Sequence, residues 1–258
     1  MKIWTEPKIT LIAGTYPNIA IQPPYDFEFK FEDEVEESIV EFAGRLCYLS
    51  FGEGTVDGHK AIKGRTTSEE YIANILKVKH GSVIEHANFT FLFEGISRSL
   101  THELVRHRHF SYSQLSQRYV DESEVGFVVP PEIPNSDEYN TFNIWCASCL
   151  DSLVRYKALL SGLEITLANR HITATQLKKR VRQTARSVLP NCTETKIVVT
   201  GNARAWRHFL VLRGSMGADT EIRRLAIEVY KILKDVSPNL FKDFSEKDGE
   251  LVSEYGSI

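Results

Sequence analysis

The sequence predicts an α/β protein of the α+β type, a single domain in which many helices surround a small, mostly antiparallel sheet. Stretches with helical periodicity outnumber the short alternating stretches typical of strands, and no linker or internal repeat divides the chain. With 258 residues, 42% of them hydrophobic and 25% charged, the chain can bury a substantial core.

Four segments have the pattern of strands. KITLIAGTY predicts the first, and HANFTFLFEG places Phe89, Phe91 and Phe93 on one face of a half-buried strand. VGFVVPPEIP predicts a brief strand that its prolines end, and ETKIVVTGN predicts the last one. Residues 51–67 contain four glycines and no clear period, which predicts a mobile loop, and residues 108–119 show no period either.

Seven helices are predicted from apolar periodicity. DEVEESIVEFAGRLCYLS has an acidic start that suits the positive end of the helix dipole, and TSEEYIANILKVKHG has a Thr/Ser cap and is closed by Gly81. SRSLTHELVRH predicts a short helix, residues 137–186 two helices broken near 169–173, and ARAWRHFLVLRG and DTEIRRLAIEVYKILKDV the last two. The apolar stripe of the first helix consists of Val35, Ile39, Phe42, Ala43 and Leu46.

Composition argues against several classes of protein. A net charge of −3 and a pI near 6.3 disfavour a general nucleic-acid binder. No apolar run approaches the roughly 18–20 residues that span a bilayer, and the N-terminus makes a poor signal peptide, so we expect a cytoplasmic protein without a membrane partner. Cys146 and Cys149 form a CxxC with no second pair, which favours two neighbours on one helix face over a zinc site.

The segment RHRHFSYSQLSQRY, residues 106–119, combines three arginines with no carboxylate and no lysine. Arg106, His107 and Arg108 fit simple caps of a helix C-terminus, but successive helical side chains point about 100° apart. Between Lys79 and Lys157 the chain uses arginine and never lysine, and the planar guanidinium suits phosphates, carboxylates and flat rings. The neighbouring serines and glutamines add neutral hydrogen-bonding groups, so the pattern predicts a nucleotide ligand.

A metal site is the alternative use of the nearby histidines. HELVRH is close to the HExxH motif, but His102 and His107 are five residues apart, about 140° around a helix instead of about 40°. His80 and His86 are six apart, and few acids stand near them to support a metal. Neither GxxxxGK(S/T) nor GxGxxG is present. We therefore predict no metal site and no glycine-rich phosphate loop.

A second cationic cluster follows the last strand, in GNARAWRHFLVLRG. Arg204 and His208 are four residues apart and share a helix face, whereas Arg213 points about 180° away from Arg204. Arg213 alone would fit a cation that balances the helix dipole beside Gly214. A helix at a subunit junction, serving two pockets or two parts of one, would use both faces.

Arg106-His107-Arg108, followed by seven residues and Ser116, resembles the RHR-x7-S signature of flavin-dependent thymidylate synthases. KHGSVIEHANFTF, RSVLPNCTETKIVVTGNARAWRHF and the RLAIE helix are also similar to that family, so the resemblance covers most of residues 37–245 of a single domain spanning 1–258. It implies that family's fold and a homotetramer with active sites shared between subunits. It also implies reductive methylation of dUMP to dTMP, with 5,10-methylenetetrahydrofolate as carbon donor and FAD, reduced by NADPH, as hydride donor.

The resemblance implies roles for individual residues. Arg213 would be catalytic, because a guanidinium beside the uracil ring stabilises the negative charge that develops there. Ser116 is a candidate nucleophile by its place in the motif, but the family's chemistry needs no covalent attachment to the enzyme. The implied contacts to FAD are His80, Ser82, Glu85, Arg106, His107, Arg108, Gln114, Asn202, Arg204 and His208, with His80 also near folate. The implied contacts to dUMP are Glu103, Arg106, Gln114, Leu115, Ser116, Gln117, Arg118, Arg186 and Arg213.

Two positions depart from the family pattern. Gly217 stands where many members carry a histidine near the flavin, and Ser113 where an asparagine is frequent. Two other function classes stay open at this point. A nucleotide- or RNA-binding module would use the same arginines without redox chemistry and bind nucleic acid with strong salt dependence. A flavoprotein oxidase would keep FAD but lack methyl transfer.

Overall fold

The computed structural model describes residues 1–18, 27–29, 35–52, 54–56, 59–61, 64–65, 67–133, 138–168 and 172–258. This part of the chain contains eight α-helices and ten strands, which confirms the α+β class. The helices are α1 (Val35–Tyr48), α2 (Ser68–Lys77), α3 (Arg98–Leu104), α4 (Thr141–Leu167), α5 (Ala174–Ala185), α6 (Ala203–Arg213), α7 (Thr220–Val236) and α8 (Pro238–Phe241). The strands are β1 (Lys2–Trp4), β2 (Lys8–Gly14), β3 (Gly54–Val56), β4 (His59–Ala61), β5 (Asn88–Ser97), β6 (Ser111–Gln114), β7 (Gly126–Val128), β8 (Glu194–Asn202), β9 (Phe244–Lys247) and β10 (Glu250–Ser253).

The described residues form two compact units. Unit 1 consists of residues 1–8, 93–106 and 112–198, and unit 2 of residues 9–92, 107–111 and 199–258. Four strands pair in the order β2-β5-β8-β6, and both β5 and β8 contribute residues to each unit. Strands β5 and β8 run antiparallel, as two backbone hydrogen bonds at their ends indicate. In unit 2 the N–H of Ala203 donates to the carbonyl of Ala87, and in unit 1 the N–H of Arg98 donates to the carbonyl of Thr193.

Unit 1 pairs β1 with β7 in parallel and packs α4 against α5. The long helix α4 buries only Cys149 and Tyr156 among its described side chains, while Ile144 and Ile165 are exposed. The sulfur of Cys149 lies 3.6 Å from that of Cys192, so the neighbour of the buried thiol comes from the turn before β8. Among the residues described, no three His, Cys, Asp or Glu side chains are grouped to hold a metal ion.

Gly95 provides a sharp test of packing in unit 1. It has a φ of +66°, and a Cβ at this position would lie 2.5 Å from Cε3 of Trp4. We expect Gly95→Ala to lower the free energy of unfolding by about 2–4 kcal/mol, since it adds a left-handed backbone penalty to a steric clash. Urea unfolding checks this. Gly249→Ala is the control, with a φ of +79° and no heavy atom within 4 Å of the added carbon. Equal losses in both variants would contradict a packing role for Gly95.

Unit 2 surrounds its part of the sheet with helices. Phe89 and Phe91 are fully buried, and Trp206 of α6 packs edge-on to Phe91 and donates its indole N–H to the carbonyl of Phe89. The alternation of phenylalanines predicted for β5 is therefore confirmed. Asp219 caps α7, whose buried face packs against α6.

The buried face of α1 differs from the predicted stripe. Leu46 is 40% exposed, whereas Glu37 and Glu41 are buried. Glu41 accepts from Nε of Arg45 at 2.7 Å and from Ser68, and Glu37 accepts from the backbone N–H of Asn239 at 2.7 Å. Carboxylates that have hydrogen-bond partners can be buried. The apolar residues of α1 alone therefore did not identify its buried face.

Several boundaries also differ from the expectations. The predicted loop at 51–67 contains the antiparallel pair β3–β4, and residues 53, 57–58, 62–63 and 66 lie outside the described part. β6 lies in the segment predicted to have no period, and α2 ends at Lys77, with Lys79 rather than Gly81 taking a positive φ of 59°. The β9–β10 hairpin and α8 had no clear sequence pattern. No described helix has both the length and the apolar character of a membrane span.

Candidate functional site

Helix α6 positions one cluster of predicted flavin residues in unit 2. Its cap Asn202 accepts from the backbone N–H of Ala205, which fixes the start of the helix. Arg204 and His208, one turn apart, are both exposed and line one cavity of about 360 Å³ together with Asn202 and Glu85. The prediction that Arg204 and His208 share a face is confirmed.

The guanidinium of Arg204 is held by its neighbours in that cavity. Nη1 donates to Oε1 of Glu85 at 2.7 Å, and Nε donates to the backbone carbonyl of Ile258 at 2.7 Å. A Cβ at Gly81 would lie 2.8 Å from Nε of Arg204, so a larger residue at this position would have to displace the guanidinium from its present place. Nδ1 of His208 lies 3.2 Å from the hydroxyl of Ser257. Residues 257–258 had no sequence signal, since neither is charged nor part of a motif.

Arg213 and His107 form the second feature of unit 2. Arg213 ends α6, and its Nε donates to Nε2 of His107 at 3.0 Å. His107 is 9% exposed and packs against the rings of Phe110 and Phe209. An imidazole nitrogen that accepts a hydrogen bond carries no proton, so His107 is neutral with its proton on Nδ1. Burial, and then the charges of Arg213 and His208, lower the pKa of His107 to about 4.

The low pKa of His107 predicts acid sensitivity. The unfolded chain takes up a proton near the ordinary value of 6.5, but folded His107 does so only at about 4. The contribution of neutral His107 to the free energy of unfolding is therefore fully present above pH 6.5. As the pH falls towards 4, the free energy of unfolding decreases by about 1–3 kcal/mol. Urea unfolding at several pH values measures this slope. His107→Gln has no proton to gain there and should flatten the profile; an unchanged slope would contradict the prediction.

The predicted nucleotide contacts around β6 lie in unit 1. The backbone N–H of Leu115 donates to the backbone carbonyl of Lys196, and Nε2 of Gln114 donates to the hydroxyl of Thr101 at 3.1 Å. Gln117 is 6% exposed, and its Nε2 has no hydrogen-bond partner among the described residues. A buried amide donor without a partner is costly, and an acceptor on a ligand would satisfy it.

Two charged residues of unit 1, Arg98 and Glu122, were not predicted to belong to the site. Arg98 is half-buried, and its Nη1 lies 3.4 Å from the carbonyl of Leu115. The pKa of Arg98 is lowered overall. Burial is the main cause and the charge of Arg186 adds to it, while the opposite charge of Glu122 offsets only part of the shift. Burial and two neighbouring acids raise the pKa of Glu122, which is 3% exposed, to about 7. A cation at the first position of α3 opposes the helix dipole, and this was the available signal that Arg98 has another partner.

The structure divides the predicted site residues between the two units. Unit 1 holds Glu103, Arg106, Gln114, Leu115, Ser116, Gln117, Arg118 and Arg186. Unit 2 holds His80, Ser82, Glu85, His107, Arg108, Asn202, Arg204, His208 and Arg213. His80 stacks on Tyr48 in a different cavity of unit 2 from that of Arg204, and Arg106 and Arg108 are exposed. Ser113 is exposed, and Gly217 has no heavy atom closer than 4.0 Å to an added Cβ.

Comparison with known proteins identifies the family. A family model described as "Thymidylate synthase complementing protein" matches residues 32–239. The chain belongs to this family. Relatives named flavin-dependent thymidylate synthase occur in Mycolicibacterium gilvum (strain PYR-GCK), 46% identical, and Mycobacterium avium (strain 104), 48% identical, each over 237 residues, 92% of this chain and 89% of the relative. The family predicted from the RHR-x7-S signature is thereby confirmed.

A solved structure supports the fold of this family member. A UMP/dUMP methylase, PolB from Streptomyces cacaoi bound with 5-Br dUMP, matches with a TM-score of 0.65 at 19% identity. The match covers 94% of this chain and 96% of that one. A second structure of the same methylase, bound with 5-Br UMP, gives a TM-score of 0.59 at 20% identity and covers 94% of this chain and 95% of that one. At this identity the likeness concerns the fold alone.

Proposed function

We propose that this protein is a flavin-dependent thymidylate synthase, which converts dUMP to dTMP with 5,10-methylenetetrahydrofolate as carbon donor and NADPH as reductant. The observation that carries the proposal is the guanidinium of Arg213, held by a neutral imidazole, in a chain of this family. A fixed cation of this kind stabilises negative charge in a bound ring at no cost of reorganisation. A guanidinium has five N–H donors and no acceptor, so Arg213 acts as an electrostatic stabiliser and not as a base.

FAD is the proposed cofactor, and the cavity on α6 has groups that fit it. Asn202 and His208 offer hydrogen bonds, and the Arg204 guanidinium offers a charge that suits a diphosphate. Glu85 orients that guanidinium through their ion pair. When bound, the flavin supplies the hydride that completes the methyl group. Ser82, Arg106, His107 and Arg108 remain proposed flavin contacts on the strength of the family motif.

The dUMP phosphate is proposed to bind among the cations of unit 1. Arg98 and Arg186 are half-buried, and burial disfavours the charge of Arg98 more than any neighbouring group does, so a dianion beside the two guanidinium groups would be favourable. Each charge-assisted hydrogen bond to the phosphate contributes about 1.5–3 kcal/mol. The unpartnered Nε2 of Gln117 adds a neutral donor for the nucleotide.

A cytoplasmic homotetramer with shared active sites is the proposed assembly, and the chain is proposed to act as one catalytic domain. Helix α4 supports the assembly, because a 27-residue helix with two buried side chains leaves apolar residues such as Ile144 and Ile165 at the surface. A second subunit covering that face would bury them. Sedimentation velocity measures the assembly, and a monomer at micromolar concentration would contradict it.

Flavin binding and turnover test the proposed function together. The protein supplied with FAD should become yellow, and NADPH oxidation should depend on dUMP and yield dTMP when methylenetetrahydrofolate is present. Failure to bind FAD would contradict the proposal. NADPH oxidation without dTMP would indicate a flavoprotein oxidase, and salt-dependent RNA binding without turnover would indicate a binding module.

A further inference from the structure

We infer that His107 is a positioning residue, which orients the guanidinium of Arg213 through its neutral Nε2. This role is separate from any contact of His107 with flavin. Its consequence for catalysis rests on the proposed function, in which Arg213 acts on the uracil ring. The contact itself is a property of unit 2 and does not depend on a ligand.

The geometry of the contact fixes more than one atom. A guanidinium is planar, so the direction of its Nε–H, together with its bond to Cδ, defines the plane that contains both Nη groups. Nε of Arg213 lies 3.0 Å from Nε2 of His107. That distance is normal for a hydrogen bond between neutral and charged nitrogen groups. His107 therefore determines which edge of Arg213 can face a flat ligand.

His107 can orient Arg213 because its own ring is held in place. The centroid of the imidazole lies 5.3 Å from that of Phe209, nearly perpendicular to it, and 6.0 Å from that of Phe110. The carbonyl of His107 accepts from the backbone N–H of Phe110 at 3.2 Å. A side chain packed on these rings and fixed at its backbone keeps the acceptor nitrogen in one position.

The chemical identity of the partner also matters. A carboxylate would bind the guanidinium bidentately and offset its charge. A neutral imidazole accepts a hydrogen bond and, unlike a carboxylate, brings no negative charge that would offset the charge of the guanidinium. Histidine at this position thus orients Arg213 without adding an anion beside it.

The surroundings keep His107 in the accepting form. Among the described contacts, the charged or titratable groups that face it are Arg213 and His208, both from α6, and each disfavours a proton on the imidazole. The other rings against it, Phe110 and Phe209, carry no charge. The contact should therefore persist between pH 7 and about pH 5, well above the point at which His107 takes up a proton.

Two variants separate positioning from bulk. His107→Gln places an amide oxygen near the position of Nε2 and keeps an acceptor, whereas His107→Leu has a similar size and no acceptor. The first measurement is the ¹⁵N-edited NMR signal of the Arg213 Nε–H in protein without substrate, assigned by its loss in Arg213→Lys. We expect a slowly exchanging signal in wild type and His107→Gln, and rapid exchange in His107→Leu.

The second measurement is kinetic, at FAD concentrations that saturate each variant. His107→Leu should lower kcat for dTMP formation by about 100-fold, the size of effect that misplacing a catalytic group produces, and His107→Gln, which keeps an acceptor, should recover most of that loss. A purely flavin-binding role would change the FAD affinity and leave kcat equal in the two variants.

The outcomes distinguish this inference from the proposed function. A protected Nε–H signal in His107→Leu, or equal kcat values in the two variants at saturating FAD, would overturn the positioning role. If wild type forms no dTMP, the proposed function fails, while the NMR comparison still decides whether His107 orients Arg213. Should His107→Leu not fold, His107→Phe, which keeps an aromatic ring but has no acceptor, takes its place, and a protected Nε–H signal in that variant overturns the inference.

Discussion

Replacing Arg213 by alanine should reduce the rate of dTMP formation by about 100- to 1,000-fold while leaving the fold and the FAD content unchanged. The side chain ends α6 and is only partly buried, so its removal opens no cavity in the core. In the proposed function, the variant loses a fixed positive charge beside the ring that becomes nucleophilic. The measurements are kcat under saturating substrates, FAD content by absorbance and the midpoint of thermal unfolding.

Two further variants interpret that loss. Arg213→Lys keeps a positive charge but lacks the planar fork and the Nε that donates to His107, so it should recover little of the rate. Lys231→Ala is the control for the loss of a cation elsewhere in unit 2, because Lys231 is exposed and pairs only with Glu228 among the described contacts. We expect wild-type kcat in that control. An Arg213→Ala enzyme that turned over like wild type would exclude the polarising role.

Replacing Arg207 by leucine should have the largest effect on stability, a loss of about 3–5 kcal/mol in the free energy of unfolding. Arg207 is fully buried, and its Nη1 and Nη2 donate to the two carboxylate oxygens of Asp243 at 2.6 and 2.7 Å. Nη1 also donates to the carbonyl of Leu240 at 2.6 Å. Without the arginine, Asp243 is left as an uncompensated buried charge.

The double variant Arg207→Leu/Asp243→Leu is the matched control. Removing both partners leaves no unpaired charge, so it should recover much of the stability lost in the single variant. Urea unfolding gives both values. A loss below about 1 kcal/mol in Arg207→Leu would show that the pair is not a determinant of stability.

The pair also has a defined pH dependence. Burial alone would raise the pKa of Asp243, but the hydrogen bonds and charge of Arg207 bring it below the ordinary value of 3.8. The ionised pair therefore stabilises the fold above that value, and its contribution is lost as the pH falls through the lower pKa of the folded state. In the double variant this part of the acid unfolding should be absent.

Arg204 and Arg207 show which properties of helix α6 could be predicted from the sequence. Helical spacing predicted that Arg204 and His208 share a face, and the structure confirms it. The same spacing could not distinguish Arg207 as a structural residue, because its partner Asp243 lies 36 residues further along the chain. Its burial depends on a contact that no local pattern contains.

Helix α1 shows the same limit for the core. The pattern of apolar residues identified the helix, but its buried face includes Glu37, whose partner Asn239 is 202 residues away. Periodicity records only apolar side chains, whereas burial of a carboxylate depends on a distant donor. In contrast, β5 was predicted well, since its buried face consists of Phe89, Phe91 and Phe93 and needs no partner to be recognised.

In the candidate site, too, a local motif could be predicted from the sequence and contacts between distant residues could not. The RHR-x7-S signature identified the family directly, because it is a local motif with fixed spacing. The contact between His107 and Arg213 joins residues 106 positions apart and was not predicted. Arg98 was not predicted as a site residue, although a cation in the first turn of a helix opposes the helix dipole and so was a usable signal.

Transfer of the one-carbon unit from folate to dUMP is the most direct test of the proposed reaction. The protein is incubated with FAD, NADPH, dUMP and methylenetetrahydrofolate labelled with ¹³C at the methylene carbon, and the nucleotide product is examined by mass spectrometry. We predict dTMP with the label in its methyl group, formed only when FAD is present. Oxidation of NADPH with unlabelled, unchanged dUMP would contradict the account.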